Sequence, residues 1–119
     1  MANGLDLFHV QKETETYVHL ILSNTFSETN LKKEIFIRTL EDLKNIKKHL
    51  LIDLRDNVYV GRELIGFLIT LRYQQKDQDL KLALTGLKNR VHSLMEWLHL
   101  ESLLCELRSV DDAENYFLK

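Results

Sequence analysis

The chain has 119 residues, 45% hydrophobic and 29% charged, with a formal charge of −2. That length suits one small domain over residues 1–119, long enough to bury a core without staples, and the balanced charge gives no basic footprint for nucleic acid. No window approaches the roughly 18 apolar residues of a membrane span, and "MANGLDLFHVQKE" lacks the features of a secretory leader, so no membrane insertion and a cytoplasmic location are expected.

Taken in chain order, "LFHV" and "YVHLIL" alternate apolar and polar residues, the period of half-buried strands, and the polar run "QKETET" between them predicts a leading hairpin. "SNTFSETN", Ser23 to Asn30, is a polar loop in which Thr25 and Glu28 have capping-box spacing, so a helix is expected from about Thr29. Phe36, Leu40, Leu43 and Ile46 then give it one apolar side, while lysines and acids fill the solvated face. "HLLIDLR" is a short apolar run suited to a central strand, which "DNVYV" continues or restarts after a turn. Gly61 precedes a helix with a broad apolar face of Leu64, Leu68 and Leu71, flanked by Ile65 and Ile69 and ending in the polar "RYQQKDQD". "LKLALT" alternates as a further strand and Gly86 marks its turn. Val91, Leu94, Met95 and Leu98 then follow at helical spacing. "LLCEL" closes the strands. Ser109 is a plausible N-cap, Asp111 and Asp112 suit a first helical turn, and Ala113, Tyr116 and Phe117 form the buried stripe of a terminal helix. The order β-β-α-β-α-β-α-β-α predicts an α/β fold with a mostly parallel central sheet and about four helices.

The chemistry-bearing residues form no constellation. His9, His19, His49, His92 and His99 are scattered without zinc spacing, and the usual phosphate-binding glycine loops and the nucleophile elbow are missing, so no metal, cofactor or catalytic residue is expected. Cys105 is the one cysteine and lies in an apolar run, which predicts a reduced, buried thiol. Asp53, set among apolar neighbours in "LIDLR", reads as a structural acceptor near a strand end or as a buried base. Trp97, Tyr73 and Tyr116 fall on predicted helices and are expected to pack into the core or its rim.

From about Phe8 to Phe117 the chain resembles the STAS family, the small domain of anti-sigma factor antagonists and related regulators. The resemblance is carried by "LLIDLRDNVYV" as the apolar strand ending in an aspartate with a second short segment after it, then "LIGFLITLR" as the following helix. "LKLALTGL", "VHSLMEWLHLESLL" and "SVDDAENY" follow as the next strand and turn, the helix with its leucine-rich exit, and the closing helix. It implies a non-enzymatic domain that binds an anti-sigma factor or serine kinase-like protein, a phosphatase or a scaffold, and is switched by phosphorylation in an Asp-Ser-Ser-Gly-type turn at the start of the second helix. Laid on "VGRELIG", that turn puts Gly61 at the aspartate, Arg62 at the first serine, Glu63 at the phosphorylated serine and Leu64 at the glycine. Neither Arg62 nor Glu63 carries a hydroxyl, so the family's usual switch does not operate there.

Two readings of Glu63 stand side by side. As a fixed phosphomimic it supplies −1 where a phosphoserine would carry about −1.5 to −2, at a helix start whose dipole favours an anion by about 0.3–1 kcal/mol. As an ordinary first-turn residue it does no more than stabilise the helix. The partner-binding surface expected from the resemblance comprises Asp56, Gly61, Arg62, Glu63 and Leu64 with Ser27 of the neighbouring loop, where Ser23, Thr25 and Thr29 offer further hydroxyls. A constitutive adaptor on a transporter ATPase or signalling scaffold is the variant of this reading. The alternatives are a small-molecule-binding α/β domain or enzyme, with Asp53, Asp56, Arg62 and Glu63 converging on one pocket, and a homodimer paired through an exposed N-terminal strand.

Overall fold

The computed structural model describes residues 7–23, 33–57, 61–100, 105–107 and 110–118. Within them the expected order holds: β1 (Phe8–Glu13), β2 (Tyr17–Leu22), α1 (Lys33–Lys44), β3 (His49–Asp53), α2 (Arg62–Asp77), β4 (Leu82–Thr85), α3 (Asn89–Trp97), β5 (Cys105–Glu106) and α4 (Asp112–Leu118). The strands lie in sequential order in one mixed sheet. A three-residue turn forces β1 antiparallel to β2, whereas each later strand returns through a helix and pairs parallel. The expected capping pair Thr25 and Glu28, the helix start near Thr29, Val58 to Val60 of "DNVYV" and the N-cap Ser109 lie outside the described residues.

Alternation along the strands divides the core in two. On one face Val18, Leu20, Leu22, Leu50, Ile52, Leu82 and Leu84 pack against Leu43 of α1, Leu64, Phe67, Leu68 and Leu71 of α2, and Val91 and Met95 of α3. On the other, Tyr17, Leu51 and Ala83 meet Ala113 and Phe117 of α4. Helices on both faces explain why β2 and β4 are buried at every position rather than at every second one, a correction to the half-buried strands read from "YVHLIL" and "LKLALT". β1 departs the other way. It runs on through Gln11, Lys12 and Glu13, taken from sequence as turn, and is exposed nearly throughout, because it is the sheet's edge and its register shifts between Val10 and Lys12.

Four side chains also sit differently from expectation. Trp97 is 76% exposed and Tyr73 51% exposed instead of packing inward. At about 100° per residue, Trp97 is turned roughly 120° from Val91 and Tyr73 roughly 180° from Leu64, so both miss the buried stripes. Leu98 is exposed at the C-cap of α3 rather than inside the helix, and Cys105 is half-buried on its two-residue strand rather than fully enclosed. The same wheel puts Gln75 within about 20° of Leu64, and Gln75 is fully buried. Its amide nitrogen donates to the carbonyls of Lys48 and Lys81, tying α2 to the starts of β3 and β4.

No glycine ends α1, α2 or α3; Lys47, Asp79 and His99 take the left-handed conformation instead, at φ 57°, 59° and 57°. Behind α2, Leu80 N–H donates to the Gln75 carbonyl and Asp79 N–H to that of Lys76; behind α3, Leu100 bonds Met95 and His99 bonds Glu96. Both are Schellman turns built without their usual residue. A left-handed residue costs about 1–2 kcal/mol, and glycine adds about 0.4–1 kcal/mol of unfolded-state entropy. Asp79→Gly and His99→Gly should therefore each stabilise the protein by about 1 kcal/mol. The check is a higher urea midpoint at unchanged slope.

Candidate functional site

The carboxyl ends of β2, β3 and β4 share one edge of the sheet, where α/β folds place their working residues. Asp53, the last residue of β3, is 1% exposed, and a carboxylate there must be fully bonded. Its Oδ2 accepts from His19 Nε2 at 2.8 Å and from Arg55 Nε and Nη2 at 3.0 and 2.6 Å, and its Oδ1 accepts the Arg55 backbone N–H at 3.0 Å. Burial alone pushes this carboxyl up. The bonds from Arg55 and His19 and the Arg55 charge outweigh it and hold the group below the usual aspartate value. Asp53 is thus the structural acceptor that the sequence allowed, with a partner on β2 that it did not show.

The β4–α3 turn closes over this cluster. Gly86 has φ +72°, and a Cβ there would overlap Asp53 Oδ1 and stand 3.0 Å from the Arg55 nitrogen, so only glycine satisfies both the backbone angle and the space. Asn57, also buried, donates from its amide nitrogen to the Leu22 carbonyl and pins the turn after β3 to the end of β2. The roles of His19 and Asn57 were missed in sequence, and Gly86 was read as a turn without its contact to Asp53. His19 sits inside an apolar strand, and its reach to Asp53 depends on the β2–β3 register, in which Ile21 and not His19 lies beside Asp53.

Against this support the expected switch residues separate. Gly61 caps α2 in an extended conformation, φ −95° and ψ −176°, with no side-chain cap bond, and its carbonyl accepts from Ile65 N–H. Arg62 and Glu63 are exposed on the first turn of α2, with Glu63 the carboxylate at its start. Leu64 faces inward and belongs to the core. Asp56 is exposed in the turn after β3, and Ser27, with Thr25 and Thr29, lies outside the described residues. Of the four residues expected to line one pocket, Asp53 is buried and bonded to His19 and Arg55, while Asp56, Arg62 and Glu63 are exposed. Among the described residues no group of His, Cys, Asp and Glu could hold a metal ion, and no helix is long and apolar enough to cross a membrane.

No protein-family model matches the sequence, and no curated protein matches it either. Solved structures do. An anti-sigma-factor antagonist (STAS) domain protein from Planctomyces limnophilus superposes with a TM-score of 0.69 at 14% identity, over 94% of this chain and 98% of that one. A Thermotoga maritima protein described as an anti-sigma factor antagonist gives 0.72 at 16% identity, over 98% of each chain. The fold is that of the STAS domain. RsbS from Moorella thermoacetica, in a serine-to-glutamate variant, gives 0.70 at 18% identity, over 90% of this chain and 94% of that one. In this fold Arg62 and Glu63 at the start of α2 are exposed, whereas the Asp53 carboxylate is buried.

Two substitutions test that structure. Asp53→Asn should lower stability at neutral pH by about 1.5–3 kcal/mol, the range for hydrogen bonds to a charged group. Because the folded carboxyl lies below its ordinary value, the wild-type contribution is whole above the ordinary range and is lost as pH falls through the lowered value. Urea midpoints should consequently fall less steeply with acid in the variant, and equal slopes would remove Asp53 from the acid response. Gly86→Ala should cost more than about 1 kcal/mol through the left-handed angle and the collision with Asp53, read as a lower thermal midpoint.

Proposed function

We propose that this protein is a non-catalytic regulatory domain of the anti-sigma-factor-antagonist type, acting in the cytoplasm by binding a protein partner, with Glu63 as a permanent negative charge at the position a phosphoserine would occupy. The observation that carries the reading is the exposure of Arg62 and Glu63 on the first turn of α2, above a glycine cap that leaves the helix start without a side-chain acceptor of its own. A carboxylate there meets the positive end of a 16-residue helix, so its charge is favourable to the helix and presented to a partner at once. That RsbS keeps the same fold with a glutamate introduced in place of a serine supports the compatibility of such a charge with the STAS framework. The partner fitting this surface is an anti-sigma factor, a serine kinase-like protein, a phosphatase or a scaffold.

The test is a paired capture from lysate of the native cell with wild-type and Glu63→Ser proteins, followed by affinity measurement on the partner recovered. Removing the charge should change affinity several-fold, about 1.4 kcal/mol for each factor of ten, with circular dichroism unchanged. Equal affinities for one recovered scaffold or ATPase would make the protein a constitutive adaptor and Glu63 an ordinary first-turn residue.

A further inference from the structure

The described cover of the second sheet face is α4, which packs Ala113 and Phe117 on Tyr17, Leu51 and Ala83 and lays the Phe117 ring on His49. α4 has seven residues, too few to hold a helix in water unaided, so its position depends on what it touches. Phe117, one of its two buried residues, stacks on His49 with ring centroids 5.1 Å apart and planes within 5°, and leans on Tyr17 at 5.2 Å. His49 Nδ1 accepts the Lys81 backbone N–H at 2.9 Å. That bond uses the Nδ1 lone pair and places the ring's one proton on Nε2. A second proton has only Nδ1 to occupy, where it would face another donor.

We propose that His49 is a pH-operated latch on the C-terminal helix: neutral and closed near pH 7, and released when acid protonates Nδ1 and turns the acceptor of the Lys81 N–H into a donor. Burial, and then the Lys81 ammonium, hold the His49 pKa below its ordinary 6.5. The opened form therefore binds the proton first as pH falls below that value; closure is whole above it and weakens toward the lowered value. Lys81 is the charged group that acts on the ring, and the charged and titratable groups near it in the fold are engaged with one another. Lys81 bonds the Tyr116 carbonyl through Nζ at 2.9 Å and lies 4.9 Å from the Tyr116 ring centroid. Lys48, beside His49 in the chain, is held by Glu13 of β1, and Glu114 of α4 reaches Lys12 of β1 at 3.7 Å. The Tyr116 phenol, pushed up first by burial and then by Cys105, stays neutral, with Arg72 of α2 opposing the shift. Among the described residues no carboxylate pairs with His49 to favour its charged form.

Stacking on Phe117 gives a charged ring some cation–π stabilisation, and a half-turn of the ring preserves the stack. Neither returns an acceptor to the Lys81 N–H. In the proposed opening the ring and the helix stacked on it move away from Lys81, and lifting of α4 uncovers Tyr17, Leu51 and Ala83.

Hydrogen exchange on the full chain at about pH 7.5 and about pH 5, corrected for intrinsic rates, tests the latch. The α4 amides and the Lys81 amide should open several-fold more at the lower pH while those of α2 and β3 do not. In His49→Asn, whose side-chain oxygen stands at the δ position of the ring nitrogen and accepts without titrating, the change should vanish. Equal α4 protection at both pH values in the wild type, or the same acceleration in His49→Asn, would overturn the proposal. Should that variant release α4 at every pH, NMR of the wild type decides. Phe117 and Ala113 resonances must follow the His49 midpoint, and independent midpoints refute the latch.

Discussion

The working end of the sheet is organised by one buried charge. A carboxylate at 1% exposure is tolerated only where every lone pair is engaged, and Asp53 obliges three segments to meet that requirement. β2 must run in the register that lets His19 reach it, the chain after β3 must turn back so that Arg55 bonds it through both backbone and guanidinium, and the β4–α3 turn must come close enough that position 86 carries no side chain. Apolar packing supplies most of the free energy of the fold. The carboxylate supplies the geometry of this end, because a hydrogen bond is directional where burial is not.

That division leaves the exposed surface free to vary. Arg62 and Glu63 make no demand on the core, while Leu64, next along the same turn, meets it completely. The helix start is held from behind, by Asn57 bonded to β2 and by the leucine stripe of α2. Its outer residues answer only to the helix dipole and to whatever binds there. A serine, a phosphoserine or a glutamate all fit those constraints, and they differ in charge rather than in shape of the fold.

The element order was legible in the sequence because apolar runs of strand length alternate with helical stripes such as Leu64, Leu68 and Leu71, and no proline interrupts them. What escaped reading has identifiable causes. The extent of β1 was hidden because an edge strand can be polar on both sides, and the register shift between Val10 and Lys12 breaks its alternation. The helix ends were obscure because Lys47, Asp79 and His99 stand where glycine normally signals a stop. The burial of Gln75 and the exposure of Trp97 were recoverable from the helical wheel, but residue type argued the opposite in each case. The His19–Asp53 pair was beyond a local reading, since it joins residues 34 apart through a parallel register that no spacing encodes. At the start of α2, by contrast, the sequence already contained what the structure shows, an exposed Arg–Glu pair after a glycine.

Fold neighbours at 14–18% identity share the architecture with few of the residues. Such divergence is expected when the fold depends on an apolar pattern and a few obligatory positions, and it is why the fold alone does not assign a partner. Two features of this chain lie at opposite ends of the sheet. At the carboxyl end Arg62 and Glu63 occupy an exposed helix start. At the amino end His49 and Lys81, whose strands β3 and β4 are stapled there by Gln75, meet a helix too short to stand alone. β3 joins the two ends directly, with His49 its first residue and Asp53 its last, and α2 joins them a second time, from Glu63 in its first turn to Gln75, which bonds the carbonyls of Lys48 and Lys81. Leu50 to Ile52 are wholly buried and paired on both sides, so the two ends share one packed core.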